Sequence, residues 1–172
     1  LYTGMDQSEG LIALAKEKAP EASFVVGEMS VLPFADASFD AIFCIAALNH
    51  IPGQPMQLDC LKEMHRVLKP GGHLLMTNWN LHSDSAQKNI TKHGWKILTD
   101  IPDSVGIDVM VPWKNPQAEV LGERYYHGFT DAELSQLLTD ANFTIIDQYY
   151  SSKGQHVSFA EGGNLVTIAI RN

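Results

Sequence analysis

The sequence predicts an α/β fold: a three-layer, Rossmann-like sandwich on a mostly parallel sheet that is closed by a C-terminal antiparallel hairpin. Two observations predict it. In the first half of the chain, short apolar runs that are typical of buried strands alternate with segments whose apolar residues recur at helical spacing. Near the C terminus, two strand-like segments are joined by the turn-rich stretch SSKGQHVSFAEGG, which indicates an antiparallel pair.

The first four elements are predicted as strand, helix, strand and strand. Residues 1–6 form the end of a buried strand, and Ser8 caps a helix whose apolar positions share one face. SFVVGEM, residues 23–29, is the second strand. FDAIFCIAAL, residues 39–48, is a continuous apolar run, as expected for a parallel strand that is buried on both faces.

The middle of the chain begins with a helix and ends in a stretch without a clear pattern. Pro55 suits a helix N-terminus, and Pro70-Gly71-Gly72 ends that helix. HLLMTNW, residues 73–79, is the next strand. Residues 80–129 are weakly patterned and rich in Asp, Lys, Pro and Gly.

The last part of the chain predicts a helix followed by the closing hairpin. Thr130 and Glu133 have the spacing of a capping box, in which each side chain bonds a backbone N–H of the other residue. Residues 143–150 and 164–172 are the two strands of the hairpin.

Composition limits the possible partners and the location. Lys and Arg total 12 against 20 Asp and Glu, so the net charge is −8, which argues against a broad basic face that binds phosphates unaided. Cys44 and Cys60 are too few for a disulfide framework, and Cys44 lies in an apolar run that predicts a buried, neutral thiol. We expect a cytoplasmic protein without a metal or a membrane span, since no apolar run approaches ~18 residues.

Polar residues follow the first three predicted strands, at the sheet edge where α/β folds bind ligands. Asp6 ends the first strand, where an acid accepts hydrogen bonds from ribose hydroxyls. Glu28 ends the second strand, where its carboxylate can accept a hydrogen bond from the adenine amine. The backbone N–H of Met29, the next residue, can donate to an adenine ring nitrogen. The third is followed by small residues at 46–47 and then by His50. Taken one at a time, each residue also has a purely structural interpretation: Asp6 as a helix cap, Glu28 as a solvated loop acid and His50 as a loop histidine.

Two motifs make a family resemblance explicit. LPFADASFD and RVLKPGG, within the first 80 residues, look like the class I S-adenosylmethionine-dependent methyltransferases of type 11. That resemblance implies a Rossmann-like fold with S-adenosylmethionine as cofactor, and Glu28 stands where family members usually have Asp. The implied cofactor site consists of Asp6, Gln7, Glu28, Met29, Ile45 and Ala46.

The resemblance also implies a strand and a Gly-rich loop before Leu1. In the family that strand lies centrally, between the first and third strands predicted here. Without it two sheet edges would be unpaired, which is costly. We therefore expect an N-terminally truncated chain that folds marginally and binds the cofactor poorly, and calorimetry should show restored binding once the segment is supplied.

The segment after residue 80 resembles the tRNA wobble-uridine carboxymethyl methyltransferases, through DVMVPWK and GERYYHGFTDAEL. The resemblance implies a tRNA acceptor and a small activating partner protein. It also implies three regions in a single domain 1–172: a cofactor half at 1–80, a substrate-recognition insertion at 81–129, and a closing helix and hairpin at 130–172. The implied acceptor residues are Asn80, Trp113, Arg124 and Tyr125, and the implied catalytic residues are His50, Arg124 and His127.

Three alternatives stay open at this point. The acceptor is equally well a small-molecule carboxylate, phenol or amine, methylated on O or N. A nicotinamide-dependent oxidoreductase would also use Asp6 for ribose, although LPFADASFD and the closing hairpin have no place in it. A non-catalytic binding module would retain the fold alone.

Overall fold

The structure is a computed structural model, and it describes residues 1–101 and 103–172. Within these residues the chain forms ten strands, four α-helices and one short 3-10 helix, at Leu48–His50. In chain order the strands and α-helices are β1 Thr3–Asp6, α1 Glu9–Lys18, β2 Ser23–Val26, β3 Phe39–Ile45, α2 Gln54–Val67, β4 Leu68–Trp79, α3 Asp84–His93, β5 Lys96–Leu98, β6 Ile107–Lys114, β7 Val120–Gly128, α4 Asp131–Asp140, β8 Phe143–Ser152, β9 Gln155–Val157 and β10 Asn164–Arg171.

The strands form three sheets of mixed direction. β1 and β2 are a parallel pair, β3-β4-β10-β8-β9 is a five-stranded sheet, and β5-β6-β7 is a three-stranded antiparallel sheet. The predicted mostly parallel sheet is wrong, because only the pairs β1–β2 and β3–β4 are parallel. The predicted closing hairpin is present, but β10 lies between β4 and β8 and is antiparallel to both.

Helices α2 and α4 pack together on one face of the five-stranded sheet. Their buried side chains share a core with Leu74 and Met76 of β4. On the other face Phe43 and Ile45 are 66% and 57% exposed, so β3 is not buried on both faces as predicted. Within the described residues no helix covers this pair, and the predicted third layer is therefore missing here. The expected strand before Leu1 lies outside the described residues.

The two motifs that carry the family resemblance contact one another. Arg66, from RVLKPGG, donates to the backbone oxygens of Phe34 at 2.8 Å and Leu32 at 3.0 Å, both in the LPFADASFD loop. Its guanidinium also pairs with Asp36 and Glu63, each at 2.7 Å. These bonds hold the pKa of Glu63 below its usual range. One arginine thus joins the two motifs and fixes the loop.

The weakly patterned stretch folds around a second, smaller core. α3 and the three-stranded sheet lie within residues 81–129, and their buried residues Leu81, Ile90, Val109 and Tyr126 pack together. Because β6 and β7 bury one end and expose the other, their apolar residues do not alternate regularly along the sequence. The regularity that identifies a strand is therefore absent from this segment.

Local helix signals are confirmed, with one exception. The Ser8 hydroxyl accepts from the N–H of Leu11 at 3.3 Å, and the Thr130 hydroxyl accepts from that of Glu133 at 3.1 Å. The Glu133 carboxylate does not complete the predicted capping box, because it bonds His127 instead. The Cys44 thiol is buried, which raises its pKa to about 11 and keeps it neutral, as predicted. No helix of the described residues is long and apolar enough to cross a membrane.

Candidate functional site

Two acidic side chains lie at one edge of the β1–β2 pair. Asp6 and Val26 are register partners at the ends of these parallel strands, and the N–H of Gly27 donates to the Asp6 backbone oxygen at 3.1 Å. Glu28 follows Val26 by two residues, so both carboxylates lie at the carboxyl edge. One Asp6 oxygen accepts from the N–H of Ser8 at 2.8 Å. Asp6 is half-buried and Glu28 exposed, so both are open to a ligand.

The two residues that follow these acids differ in their surroundings. Gln7 is exposed and lies beside Asp6, where its amide is free to reach a ligand. Met29 is half-buried and packs against the main core. Met5, on β1, packs against the same core as Met29, so the acidic edge and the five-stranded sheet share one hydrophobic interior.

The end of β3 has a constrained backbone. Ala46 has a φ of 48°, in the left-handed region that non-glycine residues rarely adopt. Its N–H donates to the backbone oxygen of Thr77 at 2.8 Å, which holds the turn against β4. Ile45, just before it, is the register partner of Thr77 and is exposed. Strain of this kind occurs at ligand sites, and a small side chain at Ala46 leaves room for a close approach.

An aromatic cluster follows directly, at the ends of β3 and β4. His50 packs against Tyr126 with ring centroids 4.4 Å apart, and Trp79 stacks on Tyr126 at 4.5 Å and 12°. His50 Nδ1 lies 3.0 Å from the backbone oxygen of Tyr125. A carbonyl oxygen only accepts, so Nδ1 carries the proton and the neutral ring has Nε2 as its free acceptor. His50 is exposed, so this nitrogen is available to accept a proton.

A buried network of charges joins β6, β7 and α4. His127 Nδ1 donates to Asp108 at 2.8 Å and Nε2 donates to Glu133 at 3.0 Å, with all three side chains at most 6% exposed. The hydroxyls of Ser104 and Tyr125 also donate to Asp108. Burial lowers the pKa of His127, but the bonds to Glu133 and Asp108 outweigh it and raise that pKa. His127 is therefore an imidazolium held between two carboxylates.

This network changes the roles predicted for two residues. His127 is fully buried with both ring nitrogens bonded, so it has no free atom for the acceptor contact that the sequence predicted. Tyr125 directs its hydroxyl inward to Asp108, and burial together with that bond raises its pKa. The phenol therefore stays neutral. Both residues hold β7 in place, so their influence on an acceptor is indirect.

Asn80 is also occupied by internal bonds. Its side-chain nitrogen donates to the backbone oxygens of Phe159 at 2.8 Å and Gly162 at 2.9 Å. Its side-chain oxygen accepts from the N–H of His82 at 3.0 Å. The side chain is 1% exposed and anchors the loop before β10. Each end of the amide already has a partner, so the predicted contact between Asn80 and an acceptor stays a prediction, although Asn80 lines the cavity described below.

Trp113 and Arg124 form an exposed pair at the far end of the β6–β7 hairpin. The Arg124 guanidinium lies 3.8 Å above the Trp113 ring, in a cation–π contact. Trp113 is 49% exposed, and Arg124 is exposed as well. The pair is the part of the predicted acceptor region that solvent reaches.

Two buried amides lack partners. Asn49 and Asn78 are both 0% exposed, and neither the oxygen nor the nitrogen of either amide has a partner among the described residues. Buried amides are rarely left unsatisfied. Asn49 precedes His50 and Asn78 precedes Trp79, so both lie at the strand ends that carry the aromatic cluster.

A cavity of about 400 Å³ opens beside Trp79. It lies between the end of β4, the start of α3, Trp95, Val111 of β6 and the loop before β10. A larger, open groove of about 690 Å³ runs along the outer face of α3, between Asp84 and Lys92. That groove includes no strand end, so the smaller cavity is the one that belongs to the site.

Comparisons with known proteins point to methyltransferases. Residues 1–76 match the family model of the methyltransferase domain. A methyltransferase assigned in Encephalitozoon cuniculi is 31% identical over 144 residues, which are 84% of this chain and 62% of that relative. A demethylmenaquinone methyltransferase of Paenarthrobacter aurescens is 32% identical over 143 residues, which are 82% of this chain and 53% of the relative. The chain thus spans less than two thirds of either relative.

Solved structures share the fold. A SAM-dependent methyltransferase of Methanosarcina mazei superposes with a TM-score of 0.69 at 27% identity, over 98% of this chain and 81% of that chain. A Haloferax volcanii methyltransferase, solved in complex with the Trm112 activator, has a TM-score of 0.65 at 17% identity, over 98% of this chain and 71% of that chain. The second likeness concerns the fold alone.

The fold and these matches support a class I S-adenosylmethionine-dependent methyltransferase, and residues 1–76 are the part of the chain that matches the methyltransferase domain model. The cofactor of this class is S-adenosylmethionine. The nicotinamide oxidoreductase alternative is not supported, because the matched domain and the relatives above are methyltransferases.

Proposed function

We propose that this protein transfers the methyl group of S-adenosylmethionine to a nucleophilic oxygen or nitrogen of a small molecule. The observations that carry this are the two acids Asp6 and Glu28 at one sheet edge and, after β3, the exposed His50 with a free ring nitrogen. The residues present fit the cofactor: Asp6 has an oxygen for a ribose hydroxyl, and the exposed Glu28 has acceptors for an adenine amine. Gln7 and Met29 flank these contacts.

The remaining part of the site would face the acceptor. When bound, the cofactor supplies a methyl group on a sulfonium sulfur, which leaves as a neutral thioether. Ile45 and Ala46 present backbone at the end of β3, close to where that sulfur would lie, and His50 is four residues further along the chain. For a hydroxyl or amine acceptor, His50 Nε2 would take the proton as the new bond to carbon forms. A carboxylate acceptor is already ionised and would need alignment only.

Calorimetric titration with S-adenosylmethionine tests the donor half of this proposal. We expect saturable binding that the Asp6→Ala substitution weakens and that the control Glu9→Ala, at an exposed acid of α1, leaves unchanged. Equal affinity in all three proteins would contradict the assignment of Asp6. Binding without methyl transfer to either a metabolite pool or RNA would favour a non-catalytic module.

A second candidate is the tRNA acceptor that the sequence resemblance implied. The exposed Trp113–Arg124 pair favours it, because an aromatic ring stacks on an unpaired base and a guanidinium binds a phosphate or carboxylate. The net charge of −8 opposes binding of tRNA by this chain alone. We therefore expect transfer to tRNA to need a partner protein, and a Haloferax volcanii methyltransferase of similar fold is solved in complex with the Trm112 activator.

Labelled methyl transfer to total RNA and to a metabolite pool, with and without that activator, separates the two candidates. If RNA is the acceptor, Arg124→Ala should abolish transfer to RNA while cofactor affinity stays constant. Lys114→Ala is the matched control, because it removes an exposed cation from the neighbouring strand β6. Equal loss in both variants would indicate general charge attraction, and no loss in either would remove Arg124 from the acceptor site.

A further inference from the structure

We infer that the cavity beside Trp79 binds a neutral, planar aromatic acceptor. This inference rests on the proposed methyl transfer and names the class of acceptor. The volume of about 400 Å³ is in the range of small-ligand sites. Among the described residues that line it, none carries a charged side chain: they are aromatic, aliphatic, amide, hydroxyl or glycine residues. A ligand with a full charge would lose its hydration there without gaining an ionic partner.

Two indoles give the cavity its preference for a flat ring. Trp79 lines it and is braced from behind by Tyr126, which stacks on it at 4.5 Å and 12°. Trp95 also lines it and packs against the second core. Both rings are therefore held in place before a ligand arrives. A planar ring gains offset or edge-to-face contacts with such walls, whereas a saturated ring of the same size gains dispersion alone.

Amide and hydroxyl groups supply the polar contacts that would orient the ring. Asn89 and Ser85 line the cavity from α3, and Asn164 lines it from the start of β10. These groups both donate and accept, so they suit a phenolic hydroxyl or a ring carbonyl. A few neutral polar groups in an otherwise apolar pocket are the usual arrangement for a small aromatic ligand.

The cavity lies within reach of the predicted sulfonium position. Ile45, at the end of β3, is the register partner of Thr77 on β4. Trp79 follows Thr77 by two residues, a displacement of about 7 Å along an extended strand. A ring held against Trp79 would thus lie beside the end of β3 and on the same edge as His50, whose ring packs on Tyr126.

Calorimetry with naphthol tests the inference without any cofactor. We expect naphthol to bind. Decahydronaphthol, which is not planar, should bind about tenfold more weakly than naphthol. Naphthoate, which is charged, should bind more weakly still. Tighter binding of naphthoate than of naphthol would overturn the inference, since it would indicate that a cation such as Arg124 dominates. Equal binding of the planar and saturated rings would overturn it as well.

Two substitutions locate the binding. Trp95→Leu should weaken naphthol binding about tenfold, and Asn89→Phe should abolish it by filling the cavity from an exposed helix position that leaves the core intact. Tyr2→Leu, an exposed aromatic on the entry to β1, is the matched control and should change nothing. Unchanged affinity in the folded Asn89→Phe protein would place the ligand elsewhere and refute the inference.

The two proposals fail in different experiments. If naphthol binds in this pattern but S-adenosylmethionine does not bind, the proposal of an aromatic-binding cavity is kept and the proposal of methyl transfer is rejected. If S-adenosylmethionine binds and the Asp6→Ala substitution weakens it, while naphthol shows none of the expected differences, the methyl transfer stands and the aromatic acceptor falls.

Discussion

The acidic edge and the buried charge network use the same kind of residue in opposite ways. At the edge, Asp6 and Glu28 keep carboxylate oxygens open to solvent. In the network, Asp108 and Glu133 are almost fully buried and bond the imidazolium of His127. Solvated carboxylates are free to exchange water for a ligand, whereas buried ones are retained only while paired. The first region therefore suits binding, and the second fixes the position of β7 and α4.

The largest effect is expected from breaking the network. His127→Ala leaves Asp108 and Glu133 buried without their cation, which should lower the free energy of unfolding by about 3–5 kcal/mol. Urea denaturation measures it. Asp36→Ala is the matched control at an exposed ion pair with Arg66, and it should cost less than about 1 kcal/mol. A similar loss of unfolding free energy in the two variants would mean that the buried bonds of His127 contribute no more to stability than a surface ion pair does.

A smaller effect, on affinity rather than stability, is expected at the acidic edge. Asp6→Ala removes a carboxylate that would accept from ribose hydroxyls, and it should weaken S-adenosylmethionine binding about 10- to 100-fold. Asp6→Asn keeps an oxygen for the N–H of Ser8 and should lose less. Calorimetry gives the affinity and thermal unfolding checks the fold. If Asp6→Asn and Asp6→Ala both unfold at a lower temperature and lose the same affinity for S-adenosylmethionine, Asp6 acts by holding the turn at Ser8 and not by contacting the ligand.

The smallest effect is a dependence of stability on pH. The folded-state pKa of His127 is raised above its ordinary value of ~6.5, so its stabilising contribution is complete below that pH and is lost as pH rises through the folded-state pKa. The difference in unfolding free energy between the wild type and His127→Gln should therefore shrink as pH rises. His65, whose pKa burial lowers, titrates in both proteins and cancels. A difference that grows with pH would show that His127 is neutral when folded.

Much of the fold could be predicted because its signals are local. The caps at Ser8 and Thr130 depend on residues three positions apart. The closing hairpin was indicated by the turn-rich stretch between its two strands, and it is present as well. The acids Asp6 and Glu28 could be placed at one edge because the ends of adjacent parallel strands necessarily meet. The direction of the remaining strands could not be predicted, because the insertion of β10 between β4 and β8 depends on long-range pairing.

The acceptor side was predicted less well. The resemblance implied a catalytic role for His127, and the sequence predicted a capping box for Glu133. The network was not predicted, because the partners of His127 are 19 and 6 residues away. No local sequence pattern around Asn49 or Asn78 predicts that their side-chain amides are buried. Trp95 lies in a stretch without periodicity, so nothing in the sequence indicated that it lines the same cavity as Trp79.

The amino-acid sequence alone was enough to predict where α1, α2 and α4 begin, where the first strands end, and which two acids stand at those ends. These features depend on hydrogen bonds and side-chain periodicity between near neighbours. Only the tertiary structure decided which polar groups are removed from water. Which groups are buried depends on how separate sheets pack. The packing buries His127, an implied catalytic residue, as a cation between two carboxylates, whereas His50 keeps a free ring nitrogen.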